Sequence, residues 1–243
     1  ESVFKKTGAL GRAAFVGDDT AGAAAAGLTL NPEALIKRMD WDRAIKTAYE
    51  VECLSRAAVA GAKGHTAARE AFLAGKSELG IHHAFVEGAG CTDDALPYPT
   101  IVCLDAKAAI LHYHAKRATG SGRLLLLDAG VSDLGYGCDI TRTSAAPACD
   151  PKFKALIDAV DKLQLELCAM VKPGPSYVDI HLEAHRKIGA VLIGQGILKC
   201  SLDAAIEKGY TSVFFPHGVG HHLGIQVHDI GGRQKAREGG VLP

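Results

Sequence analysis

The stretch Leu124-Leu-Leu-Leu-Asp128-Ala-Gly130 followed by Gly137-Cys-Asp139-Ile-Thr-Arg-Thr143 constrains this chain more than any other. Asp is depleted inside strands. Here one aspartate ends an apolar strand and a second lies in a Thr-rich strand, with turn residues between them. A turn centred on Asp133-Leu134 sets Asp128 and Asp139 opposite each other in an antiparallel pair, with Cβ atoms about 4.5–5.5 Å apart. Two carboxylates that close repel, and a divalent cation between them reverses the sign. Pairs of metal ions about 3.5–4 Å apart are a recurring hydrolytic arrangement. The plain alternative is a different register, with one Asp as an exposed turn residue.

Histidines supply the next candidates. Four of the eleven fall in Phe214-Phe-Pro-His217-Gly-Val-Gly-His221-His222-Leu-Gly-Ile-Gln-Val-His228-Asp229. Imidazole is both a common metal ligand and the usual proton carrier near neutral pH. Gly218, Gly220 and Gly224 argue against a helix and let backbone approach a ligand closely. His112 and His114 precede the Asp hairpin, on an expected strand, and add two further candidates. Two other patterns are set aside. His181-Leu-Glu-Ala-His185 carries its Glu one position late for a zinc-protease helix, and Gly218-Val-Gly220 lacks the third glycine and strand-to-helix turn of a dinucleotide loop.

The remaining pattern is α+β. A helix is predicted from Thr47 to about Ala74, with Val51, Leu54, Ala58 and Ala62 at helical spacing. A short helix follows from Ser77 to Gly88, with a Ser77-Glu78 cap signal. Strands are predicted at Thr100–Leu104 and Ala109–His114, and amphipathic helices at Phe153–Val171 and Val178–Gly194. Val213–Asp229 reads as extended. Before residue 47, a strand and turn at 11–18, an Ala-rich helix end at 21–27, a cap at Asn31-Pro32-Glu33 and an extended Met39–Lys46 look like the tail of another domain. Without regular βαβ alternation, the order does not fit a doubly wound sheet.

Composition narrows the function. Lys plus Arg and Asp plus Glu each number 27 in 243 residues, so no basic excess points to nucleic acid. No apolar run approaches the ~20 residues of a membrane span. The seven cysteines contain no Cys-x-x-Cys pair and fit packed, reduced thiols in a cytosol. Cys138, beside Asp139, reads as a small buried strand residue rather than a ligand or nucleophile.

Leu111-His112-Tyr113, Leu127-Asp128-Ala-Gly130, Tyr136-Gly-Cys-Asp139-Ile-Thr-Arg-Thr143 and His217-Gly-Val-Gly-His221 through His228-Asp229 together resemble the metallopeptidases of the pita-bread fold. That group includes Xaa-Pro dipeptidase (prolidase), aminopeptidase P and methionine aminopeptidase. The resemblance covers about residues 40–233 and is greatest to bacterial prolidases. It implies a pita-bread catalytic domain from residue 41, cut short, preceded by the remnant of a mixed α/β domain at 1–40. It implies two divalent ions, manganese with cobalt or zinc as alternatives, held in part by Asp128, bridging Asp139, and His221. A metal-bridging water or hydroxide would attack the carbonyl before proline in an Xaa-Pro dipeptide. His228 would hold substrate and stabilise the oxyanion, and His112 and His217 would line the pocket for binding or proton transfer. The alternatives are aminopeptidase P activity on longer peptides and a non-catalytic binding module of the same fold. A small peptide partner, a cytoplasmic homodimer, and no nucleic-acid or membrane partner are expected. The family's two remaining ligands are glutamates, the first in Glu-Pro-Gly. Glu238 has neither that motif nor the expected distance, and the chain ends at Val241-Leu-Pro243, so these residues alone are expected to hold fewer than two metals and to be inactive.

Overall fold

The computed structural model describes residues 13–231 apart from position 19, so positions 11 and 12 of the expected first strand, and Glu238, lie outside the described residues. Residues 48–229 form one compact unit, and residues 13–47 belong to another.

In the smaller unit, β1 (Ala14–Phe15) pairs in parallel with β2 (Thr29–Leu30), with α1 (Thr20–Ala25) between them. Asn31 does not cap the next helix. Its side chain instead accepts from Gly17 N–H at 2.9 Å and donates to Gly17 O at 3.0 Å. The following helix, α2 (Glu33–Ala44), runs through most of Met39–Lys46, where extended chain was expected. It is a polar helix, and its Arg38–Asp42 pair at 2.6 Å is the kind of (i, i+4) contact that stabilises one.

The larger unit begins with α3 (Ala48–Leu73) and α4 (Glu78–Ala89). Ser77 caps α4 by accepting from Gly80 N–H, and Gly90 ends it in a left-handed conformation (φ 67°). The buried face of α3 is not the predicted Val51–Leu54–Ala58–Ala62 stripe. It is Cys53, Ala57, Gly61, Gly64, Ala68 and Phe72, while Val51 is exposed. Small residues win this face because the helices approach closely: a Cβ on Gly64 would stand 2.8 Å from the Phe85 ring.

Three antiparallel strands lie in the order β3 (Ile101–Leu104), β4 (Leu124–Ala129) and β7 (Ile140–Ala145), counting the short β5 (Ser132–Asp133) and β6 (Tyr136–Gly137) of the hairpin tip. Alternate β4 residues are buried, and Leu125 and Leu127 join Ala57, Phe72, Ile81, Phe85 and Val102 in the main core. Burying each such leucine contributes about 1.5–3 kcal/mol. The tip is pinned to α3 by Arg56, whose Nε and Nη2 donate to Asp133 Oδ2 at 3.0 and 2.6 Å.

Beyond the hairpin, α5 (Pro151–Met170) starts at an Asp150 cap with proline in its first turn. The next helix, α6 (Tyr177–Gly194), starts with a Ser176/Asp179 capping box. Leu163, Leu167 and Ala184 form the core between them. His181 and His185 lie within α6, with rings 4.7 Å apart, and His185 Nδ1 contacts Thr211 Oγ1 at 2.9 Å. That contact helps hold α8 (Tyr210–Phe214), which follows α7 (Leu202–Glu207). The expected extended segment therefore begins as a helix, and residues 215–229 have neither strand nor helix. Among the described residues, no helix is long and apolar enough to cross a membrane.

Candidate metal centre

The hairpin register differs from expectation. Asp128 pairs with Thr141, and the turn is Leu134-Gly135, both with positive φ (51° and 88°). Such a two-residue turn matches the twist of its strands. Asp139 lies just before β7, two residues from Thr141 and so on the same face. The two aspartates are thus diagonal neighbours rather than direct partners, and their side chains still converge. The phenol of Tyr98 contacts Asp128 Oδ1 at 2.8 Å and Asp139 Oδ1 at 2.9 Å.

Burial, followed by the charges of Asp128 and Asp139, pushes the Tyr98 phenol far above its ordinary range, so it acts as a neutral donor. A neutral hydroxyl has one proton for two carboxylates. Burial also raises Asp128, as does the charge of Asp139; hydrogen bonds from Tyr98 and Thr141 and the charge of His112 act against the rise. Positive charge placed beside the pair would favour the ionised Asp128.

His221 meets the same carboxylate from the 215–229 segment. Its Nε2 lies 3.1 Å from Asp139 Oδ2, and its Nδ1 lies 2.9 Å from His222 O. A backbone carbonyl only accepts, so Nδ1 carries a proton, and Nε2 is the atom turned toward the carboxylate. A ring nitrogen and a carboxylate oxygen at that distance share either a proton or a metal ion. His228 Nε2 lies 3.7 Å from the same oxygen, with its ring 4.1 Å from that of His221. Donor atoms of Asp139, His221 and His228 lie within 4.8 Å of one another. Carboxylate oxygen with imidazole nitrogen is a donor set that suits manganese, cobalt or zinc.

His112 is not on a strand. Chain 105–109 is a 3-10 helix, and His112 follows it in a left-handed conformation (φ 56°), exposed, with its ring 6.2 Å from that of His217. These two form a second pair, and His114 is also exposed. Cys138 is buried, its thiol accepting from Val131 N–H at 3.3 Å, and burial raises its pKa. It packs as a small core residue.

Sequence reasoning missed Tyr98 and Thr141. The signal for Tyr98 was its place between two prolines, Pro97 and Pro99, which restrict the backbone on either side. The signal for Thr141 was its same-face spacing from Asp139.

Comparison with known proteins matches metallopeptidase family M24 over residues 52–242. A Xaa-Pro dipeptidase of Marinobacter nauticus is 48% identical over 206 residues, covering 84% of this chain and 48% of that protein. A Xaa-Pro dipeptidase of Stenotrophomonas maltophilia is 43% identical over 87% of this chain and 48% of its own length. The chain thus spans about half the length of the curated relatives it matches. Among solved structures, zinc-substituted Escherichia coli aminopeptidase P in complex with product superposes with a TM-score of 0.76 at 28% identity, over 84% of this chain and 46% of that one. Proline aminopeptidase P II from Yersinia pestis gives 0.77 at 28% identity, over 89% and 49%. The expected α+β, pita-bread class is borne out, and the chain belongs to metallopeptidase family M24.

Proposed function

We propose that the protein containing this chain hydrolyses the peptide bond before proline in Xaa-Pro dipeptides with the help of divalent metal ions. The observation that carries this reading is the convergence of His221 and His228 on Asp139, their ligand atoms within 4.8 Å of one another, beside a carboxylate pair that shares one phenol. Relatives named Xaa-Pro dipeptidase support the substrate. Asp128, Asp139 and His221 would hold metal, with Asp139 between two sites. Bound divalent ions supply Lewis acidity and a water nucleophile near neutral pH.

The chain's own residues do the rest. Tyr98 holds both carboxylates on one side of the site. His222 O fixes the His221 tautomer, which leaves Nε2 free to ligate. His228, on the exposed side of the cluster, would hold substrate and stabilise negative charge on the scissile carbonyl oxygen. His112 and His217 would line the pocket and move or hold a proton. A proline imide has no N–H to read, so recognition falls to pocket shape and polarisation of the carbonyl. Manganese, a cytoplasmic setting in keeping with seven unpaired cysteines, and a homodimer complete the proposal.

The test is an assay of the full-length protein, loaded with Mn²⁺, on Ala-Pro and on Ala-Pro-Ala. Cleavage of Ala-Pro alone is expected. Cleavage of the tripeptide would replace the dipeptidase reading with an aminopeptidase P one, which the solved neighbours favour. Bound metal with neither peptide cleaved would overturn both.

A further inference from the structure

His112 is presented by a loop with no strand or α-helix of its own, between β3 and β4. One buried carboxylate gathers that loop. Glu78, fully buried at the start of α4, accepts from Leu104 N–H at 3.3 Å where the loop begins. It accepts from Lys107 Nζ and from the Tyr113 hydroxyl (3.0 Å) in its middle, and from Arg117 N–H (2.9 Å) toward its end. Leu79 N–H donates back to Arg117 O at 3.1 Å. Burial alone would raise the Glu78 pKa, but its hydrogen bonds from Lys107, Arg117, Tyr113 and Leu104 bring it below the ordinary value, so it stays a carboxylate. Tyr113, which it holds, is the residue next to His112, and His112 sits in the left-handed region. A non-glycine residue persists there only when its surroundings over-determine it.

We propose that Glu78 is the positioning residue for His112: it ties the start, middle and end of the 104–117 loop to α4 and thereby holds the His112 imidazole facing His217. The catalytic part of this inference rests on the peptidase reading above; the clamp itself does not.

The test uses the full-length Mn²⁺ protein with Glu78→Gln, Tyr113→Phe, His112→Ala and the two double variants with His112→Ala. Glu78→Gln leaves donors facing an amide and removes the partner of Lys107. It is expected to lower kcat/KM on Ala-Pro about 10- to 100-fold, with the same division between KM and kcat as His112→Ala. In the His112→Ala background it should lower kcat/KM by no more than about threefold, because the group it positions is gone. Full additivity would overturn the proposal. Breaking a buried ion pair is strongly destabilising, so Tyr113→Phe is the milder probe, expected to cost about 2- to 10-fold and to show the same non-additivity. If the parent protein cleaves no Xaa-Pro peptide, the peptidase reading fails and amide hydrogen exchange decides the clamp. Faster exchange at Leu104, Arg117 and the residues between them in either variant, with α6 unchanged, supports it. Unchanged exchange overturns it.

Discussion

Gly130 links β4 to the hairpin tip that leads to Asp139, and it is the position where one added methyl group should do most harm. A Cβ there would sit 1.9 Å from Cys138 O, 2.9 Å from Cys138 C and 3.1 Å from Pro97 Cγ. Ordinary contact starts at 3.4 Å, so the shortfall against a backbone oxygen is about 1.5 Å. No rotamer change relieves it; the β4 and Cys138–Asp139 backbones must separate. Overpacking costs about 1–3 kcal/mol where side chains can adjust, so Gly130→Ala should cost about 3 kcal/mol or more. With a urea slope of about 1–3 kcal/mol/M, the midpoint should fall by at least about 1 M. The same separation moves Asp128 relative to Asp139, so Co²⁺ binding followed by visible absorption should weaken as well. Gly135→Ala is the control. That residue has φ 88° and no atom within 4 Å of its Cβ position, so only the left-handed backbone penalty of about 1–2 kcal/mol applies, with no loss of Co²⁺ affinity. A Gly130→Ala protein within about 0.5 kcal/mol of its parent, the margin of an ordinary surface substitution, with unchanged Co²⁺ affinity would refute the reasoning.

Tyr98→Phe removes the donor shared by two half-buried carboxylates and should destabilise by about 1–3 kcal/mol in EDTA but less in saturating Mn²⁺; equal losses in thermal unfolding under both conditions would remove the argument for a cation. Acid titration should expose Glu78: its folded pKa lies below the ordinary 4.5, so its contribution to stability is complete above that pH and is lost as pH falls through 4.5 and then the folded value. Glu78→Gln should flatten this part of the stability–pH curve measured by urea denaturation, and an unchanged acid limb would show that the carboxylate is not the group responsible.

Legibility in the sequence followed the range of the forces involved. The helix at Ser77 announced itself through its cap and the one at Val178–Gly194 through its amphipathic pattern, both local signals; the Ser176 cap came only with the structure. The convergence of Asp128 and Asp139 survived an incorrect register for a specific reason. Moving the turn from Asp133-Leu134 to Leu134-Gly135 changes each pairing by two residues, and a shift of two keeps every side chain on its face. The turn itself was misplaced because Leu134 adopts a positive φ that its residue type rarely takes, while Asp133 is held by Arg56 from α3. The strand expected at Ala109–His114 failed for a comparable reason. Asp105 takes φ 55° and its carboxylate accepts from Arg123 and Leu124 N–H, which turns the chain before a strand can form. The roles of Tyr98 and Glu78 depend on partners 26 to 41 residues away, beyond any local pattern.

The candidate donors reach the site on two kinds of chain. Asp128 and Asp139 belong to a hairpin locked by ladder hydrogen bonds, the core leucines and Arg56. His221 and His228 ride on 215–229, tethered by the exchange between Tyr177 Oη and Gly220 and by Gly137 N–H to Gly224 O at 3.4 Å, and braced internally by Asp229 N–H to His222 O at 3.0 Å. Ion affinity at such a site contains the ordering free energy of its loosely tethered half. Loop dynamics and metal occupancy would then become one thermodynamic variable: whatever stiffens 215–229, Tyr177 on α6 included, would set how tightly the aspartates hold an ion.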